Sequence, residues 1–157
     1  MSNINVVVQF ESETAGYETS VSDTVGQVQS RAARELLIPE GVSAGLTLMY
    51  QGKALENAGE SLNQLLKGAT EERIELRLDF RLIVNTVEKY TPKKFVTGSE
   101  ILVLAGSPSD WVVNEIVPGP GEDPEIGPDQ RVDLSFDTEP RGIKKFKTRK
   151  PHTSPGQ

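Results

Sequence analysis

Thr24-Val25-Gly26-Gln27 and Thr97-Gly98-Ser99-Glu100 decide the fold, because they are one helix start written twice. In each, the Thr hydroxyl can accept from the third helical N–H. The Gln or Glu three residues on can bond back to the Thr amide, forming a capping box. The two Thr lie 73 residues apart. Upstream of each stands an apolar, β-branched stretch, Ile4-Asn5-Val6-Val7-Val8-Gln9-Phe10 and Phe80-Arg81-Leu82-Ile83-Val84-Asn85, whose starts are 76 residues apart. Such stretches read as strands. A second short strand follows each, Tyr17 to Val21 and about Glu88 to Thr91. A period this long is the duplication of a small domain and not a solenoid repeat.

Downstream, the pattern continues in parallel. Val25, Val28, Ala32 and Leu36 fall on one face of a helix expected over about Val25 to Leu37, stopped by Ile38-Pro39. The second helix is expected over about Ser99 to Ala105, ending at Gly106. Strands are expected at Leu46 to Tyr50, Glu72 to Leu78, Trp111 to Val117 and Ile143 to Thr148. Each half then reads as a hairpin, a crossover helix and further strands, an α+β sheet with one packed helix. The junction Leu78-Asp79-Phe80 has no Gly, Ser or Pro, so a short, restrictive connection is expected.

Composition narrows the functions. The 157 residues include 17 Lys plus Arg, 23 Asp plus Glu, one His and no Cys. Without Cys there is no disulfide, thiolate catalysis or Cys-ligated zinc, and His152 alone builds no metal site. A net charge of −6 argues against non-specific nucleic-acid binding. No apolar run approaches the length of a bilayer span, and the start lacks the features of a secretory signal, so a cytoplasmic protein is expected. No cofactor is expected. Charge is uneven: residues 1–79 carry 6 bases and 12 acids, and residues 80–157 carry 11 of each. Residues 115–139 hold eight acids and one base, whereas Arg141 to Lys150 holds six bases and no acid. The basic run reads as a strand with one solvated face, with steering of the tail toward an acidic partner groove as the alternative. The acids read as a solvated loop, with an electrostatic docking surface for a basic partner, or internal pairing with Lys144, Lys145 and Lys147, as the alternatives. The loop Pro118 to Pro124 lacks the Lys and Ser/Thr of a phosphate cradle and misses the calcium-loop spacing.

In the first half, Thr24 to Val28, Leu37-Ile38-Pro39, and above all Leu48-Met49-Tyr50-Gln51-Gly52-Lys53-Ala54-Leu55-Glu56 resemble ubiquitin-like domains. Ser61 to Leu65 resembles the helical turn before their last strand. In the second half, Phe80 to Asn85, Val96 to Ile101, Leu104-Ala105-Gly106, Gly121-Glu122-Asp123, Val132 to Ser135 and Gly142 to Phe146 resemble the bacterial multi-ubiquitin family. The resemblance implies two tandem β-grasp domains, 1–79 and 80–148, followed by a flexible tail, 149–157. It implies a ubiquitin-like modifier in a bacterial conjugation system, similar to those of antiviral defence. Its implied partners are an adenylating activating enzyme, a conjugating enzyme, a JAB-type zinc peptidase and a target protein, with no membrane or nucleic-acid partner. The chain itself would not be an enzyme.

In the tail, Gly156 is the residue whose lack of a Cβ suits passage through a narrow channel and attack at its carbonyl. Gly156 is therefore the expected conjugation residue, and Gly156-Gln157 the expected processing site. Pro155 stands where ubiquitin has the first of two Gly, which suggests a dedicated activating enzyme. By the same resemblance, Met49 falls at a partner-binding patch and Lys53 at an acceptor lysine. Two alternatives stay open: a non-covalent tandem adaptor docking through the Met49 strand, and a sulfur carrier.

Overall fold

The computed structural model describes residues 2–151. The chain divides into two compact units, residues 1–80 and 81–157. The first opens with the antiparallel hairpin β1 (Asn3–Phe10) and β2 (Glu13–Ser20). Helix α1 (Val25–Glu35) follows, then a short α2 (Glu40–Ser43), β3 (Leu46–Tyr50), β4 (Lys53–Ala54) and a short α3 (Leu62–Leu65). Strand β5 (Arg73–Val84) closes the unit through its first part, parallel to β1 and antiparallel to β3. The strand order is β2-β1-β5-β3-β4.

The second unit takes up the later part of β5, which is paired by β6 (Val87–Thr91). It continues with β7 (Phe95–Thr97), α4 (Gly98–Ala105), β8 (Val112–Ile116), β9 (Glu125–Ile126), β10 (Arg131–Asp133) and β11 (Lys144–Arg149). Here β11 is parallel to β5 and antiparallel to β8, giving the order β6-β5-β11-β8-β9. The same order of first hairpin, parallel last strand and outer meander occurs in both units. Each is a mixed sheet crossed by one helix, the α+β β-grasp fold. A separate ribbon pairs β7 with β10.

The alternation read in the sequence produces these cores. Ile74, Leu76, Leu78, Phe80, Leu82 and Val84, every second residue of β5, are all buried. The buried residues of the first unit also include Val6, Val8, Val25, Val28 and Ala32, and those of the second Val113, Ile101 and Phe146. The capping boxes form as expected. The Thr24 hydroxyl accepts from the Gln27 amide at 3.2 Å and the Thr97 hydroxyl from Glu100 at 3.2 Å. The return bonds to the Thr amides measure 2.8 and 3.0 Å.

Two expectations need correction, and one element was not anticipated. Helix α1 ends at Glu35, two residues early, because Leu37 turns left-handed (φ 55°) and the Ile38 amide closes onto the Ala33 carbonyl at 2.9 Å. The two strands expected on either side of Asp79 are one uninterrupted strand, since nothing between Leu78 and Phe80 can turn the chain. The β7–β10 ribbon was not foreseen, as three-residue strands are too short to show a period.

Candidate functional site

Strand β11 leads into the tail, so it and its neighbours form the site's frame. Gly156 and Gln157, the conjugation and processing residues expected from the sequence, lie outside the described residues. The structure describes the strand that precedes them in the sequence. Lys144 and Phe146 point inward, at 3% and 0% exposure, while Lys145 and Lys147 point out. This alternation follows from β11 pairing on both edges, with β5 and with β8.

Most of the basic run is engaged within its own unit. Lys147 Nζ pairs with Asp123 at 3.1 Å. Arg149 donates from Nε to Asn114 Oδ1 at 3.0 Å and reaches Glu125 at 3.4 Å. Arg141 pairs with Glu139 at 3.4 Å. Asp123 also accepts from the Val117 amide at 3.2 Å, so one carboxylate ties the 117–123 loop to β11. The Lys147 ammonium, helped by that amide, holds the Asp123 carboxyl below the ordinary carboxylate range. The reading of these acids as partners for the basic run thus applies to Lys147. Lys145 has no ion pair among the described residues.

Lys144 has a role that sequence reasoning missed. Its ammonium donates to the Thr138 carbonyl at 2.5 Å and the Pro140 carbonyl at 2.9 Å, holding the loop that precedes β11. Burial lowers its pKa, opposed by nearby Glu115 and Asp133. Glu115 is also buried, at 9% exposure, and its Oε2 has no hydrogen-bond partner among the described residues. Burial raises the Glu115 pKa, opposed by Lys144.

Met49 and Lys53 fall on the β3–β4 hairpin, whose turn has Gln51 and Gly52 at positive φ. Lys53 is exposed. Met49 is not available as a surface patch, since it is buried at 6% within a strand whose residues Leu46 to Met49 are all buried. That corrects the expected exposed partner-binding side chain. A buried methionine contributes packing and not a docking face. Among the described residues, no group of three or more His, Cys, Asp or Glu is arranged to hold a metal. No helix among them is long and apolar enough to cross a membrane.

Residues 80–150 match the family model described as Multiubiquitin, which spans the second unit. Solved structures similar to the chain include Caldiarchaeum subterraneum ubiquitin, at 19% identity and TM-score 0.42, covering 52% of this chain and 98% of that one. The ubiquitin-like domain of Arabidopsis thaliana protein At2g32350 is 20% identical with TM-score 0.41, covering 51% of this chain and 79% of that one. No curated protein matches the sequence. The strand order of each unit defines the class as a β-grasp fold, and residues 80–150 are similar to the Multiubiquitin family.

Proposed function

We propose that this chain is a bacterial ubiquitin-like protein modifier that acts in the cytoplasm and is conjugated to target proteins in antiphage defence. The observation that carries the reading is the recurrence of the ubiquitin-type strand order in both units, with the second unit matched by the Multiubiquitin model. Arg149, where β11 ends, precedes Gly156 by seven residues. Seven residues can span at most about 24 Å, enough to carry a terminus into a partner's channel.

In this reading a JAB-type zinc peptidase hydrolyses the Gly156–Gln157 bond and frees the Gly156 carboxylate. An activating enzyme couples that carboxylate to the α-phosphate of ATP, releasing pyrophosphate. A partner cysteine thiolate displaces AMP to give a thioester, and a target nucleophile displaces the thiolate to form the final bond. Glycine helps at each acyl transfer because no Cβ obstructs approach to the carbonyl. The chain supplies a substrate and a recognition surface, and the partner enzymes supply the catalysis.

Mass spectrometry of the chain co-expressed with the peptidase, activating and conjugating enzymes tests this. The expected result is a chain shortened by Gln157 and adducts linked through Gly156. An intact Gly156–Gln157 bond with no adduct would sink the proposal. The adaptor reading is disfavoured by the burial of Met49. Deleting residues 155–157 separates the two, since an adaptor keeps its activity without them.

A further inference from the structure

The hairpin turn between β5 and β6 falls on Asn85 and Thr86, at φ 52° and 69°. Two successive left-handed residues form the kind of tight turn that usually takes Asn-Gly. Asn85 suits its position, but a β-branched residue such as Thr86 is an outlier there. Such a conformation persists where its surroundings over-determine it. Here the surroundings are the end of β11, and the contact runs through the Asn85 side chain.

Strand β11 runs parallel to β5 with Phe146 beside Val84. The Asn85 amide donates to the Phe146 carbonyl at 3.0 Å. In a parallel ladder the Thr148 amide would next bond the Asn85 carbonyl. That carbonyl accepts the Thr86 hydroxyl at 2.5 Å instead. The Asn85 side chain takes its place. Its Oδ1 accepts from the Thr148 amide at 2.9 Å, and its Nδ2 donates to Thr148 Oγ1 at 2.9 Å. Thr148 Oγ1 also lies 2.8 Å from the Oγ of Ser107, just beyond α4. On its other edge β11 pairs with β8 as far as Arg149. One turn residue therefore adds a rung to the ladder at the point where β5 has ended.

Arg149 ends β11, and Gly156 follows seven residues later. We infer that Asn85 is a positioning residue for the tail chemistry, clamping Thr148 so that the chain starts toward Gly156 from a fixed point. The inference rests on the proposed reading of Gly156–Gln157 as the processing site. A partner that threads the tail must order every loose residue ahead of it. Ordering one residue's backbone costs a factor of about five to thirty in an equilibrium constant. A clamp that holds Thr148 beforehand removes that cost from docking. It acts on KM and leaves kcat alone, because it does not touch the scissile bond.

The test is steady-state hydrolysis of Gly156–Gln157 in the full chain by the JAB-type zinc peptidase. Each turnover consumes one water and releases one glutamine, which is measured. Asn85→Gly is the variant, because glycine accepts a φ of 52° as readily while losing both side-chain bonds. KM should rise about fivefold or more, with kcat unchanged. Asn85→Asp keeps an oxygen for the Thr148 amide and should recover most of that loss. Amide hydrogen exchange in Asn85→Gly should quicken about tenfold or more at Thr148 and stay as it is at Lys144, the other end of β11. Urea unfolding followed by Trp111 checks that each variant is folded. Thr148→Val, which removes the hydroxyl from the same contact, replaces Asn85→Gly if the latter unfolds. Unchanged exchange at Thr148 would overturn the clamp itself. Faster exchange with an unchanged KM, a loss in kcat in place of KM, or no rescue by Asn85→Asp would overturn the positioning role and leave the processing site standing. A parent chain that is not cut would overturn the processing reading and the positioning role together, whatever the exchange shows.

Discussion

Replacing Gly98 by Ala sets helix propensity against packing, and the structure decides the sign. Gly98 is the first residue of α4, where Ala is intrinsically better than Gly by about 1 kcal/mol. A Cβ at this position would lie 2.3 Å from the Gly127 carbonyl oxygen and 2.9 Å from the Ile126 carbonyl oxygen. Comfortable contacts begin near about 3.5 Å, so backbone must retreat by roughly 1 Å. That backbone is held, because the Ser99 amide donates to Pro128 O at 3.1 Å and the Gln130 amide to Gly127 O at 3.1 Å. Overpacking costs about 1–3 kcal/mol, and loosening one backbone hydrogen bond adds about 1 kcal/mol. Against the propensity gain, the net is a destabilisation of about 2 kcal/mol. The assay is equilibrium urea unfolding followed by Trp111, the single tryptophan, which sits in the second unit and reports it without assuming that the whole chain unfolds as one. With a slope of about 1 kcal/mol per molar urea for so small a unit, the midpoint should fall by about 2 M. Gly26→Ala, in the first unit and therefore followed by far-UV circular dichroism, is the comparison: its Cβ would meet Ala58 at 3.3 Å, a contact that a small shift relieves, and should change stability by less than about 1 kcal/mol. A Gly98→Ala midpoint equal to or above that of the parent would refute the reasoning.

Leu37→Gly should stabilise the first unit by about 0.5 kcal/mol, because a left-handed residue costs about 1–2 kcal/mol with a Cβ and the greater freedom of unfolded glycine returns about 0.5–1 kcal/mol of that. Leu37 is 87% exposed, so little burial is lost, and a thermal melt showing a clear loss would mean that its side chain packs on something. Glu115→Gln should stabilise the second unit at neutral pH. Burial raises the Glu115 pKa in the folded state above its ordinary 4.5, so its contribution is fully present below that value and lost as pH rises through the folded one. The advantage of the variant, followed by Trp111 in urea from pH 4 to 8, should vanish at the acid end. A constant difference across that range would show that Glu115 is not titrating differently in the two states.

The two-unit organisation was legible because its markers are local. A capping box needs only four residues, and the burial of Ile74, Leu76 and Leu78 follows from strict alternation. The unbroken β5 was half legible: the absence of a turn-former at Leu78 to Phe80 was visible, but a continuous strand was read as a short connection. Met49 was not legible, since the Leu46-Thr47-Leu48 alternation puts Met49 on the polar face with Thr47, whereas both faces of the strand are buried. Nor was Lys144. Its neighbours predict a solvated basic face, and they are right for Lys145 and Lys147. The inward position at the start of β11 meets carbonyls of the ten-residue loop between β10 and β11, and only folding brings these to the ammonium.

The charge pattern of the second unit acquires a physical purpose from this arrangement. An acid-rich segment followed by a base-rich strand looks, in sequence, like two opposed docking surfaces. Folding turns much of it into internal fastening: Asp123 to Lys147, Glu125 to Arg149, and Lys144 to two carbonyls. Exposed ion pairs of this kind contribute little to stability individually, but they fix loops, and paired charges project little field beyond a Debye length. The second unit, with 11 bases and 11 acids, therefore exerts little long-range attraction. The first unit keeps its net −6, a charge whose field would favour the approach of a basic surface over an acidic one. An association in which the first unit governs encounter should slow with added salt when acids of residues 1–79 are neutralised less than when they are intact. Neutralising acids in residues 115–139 should change that salt dependence little and act instead on the order of the loops beside β11.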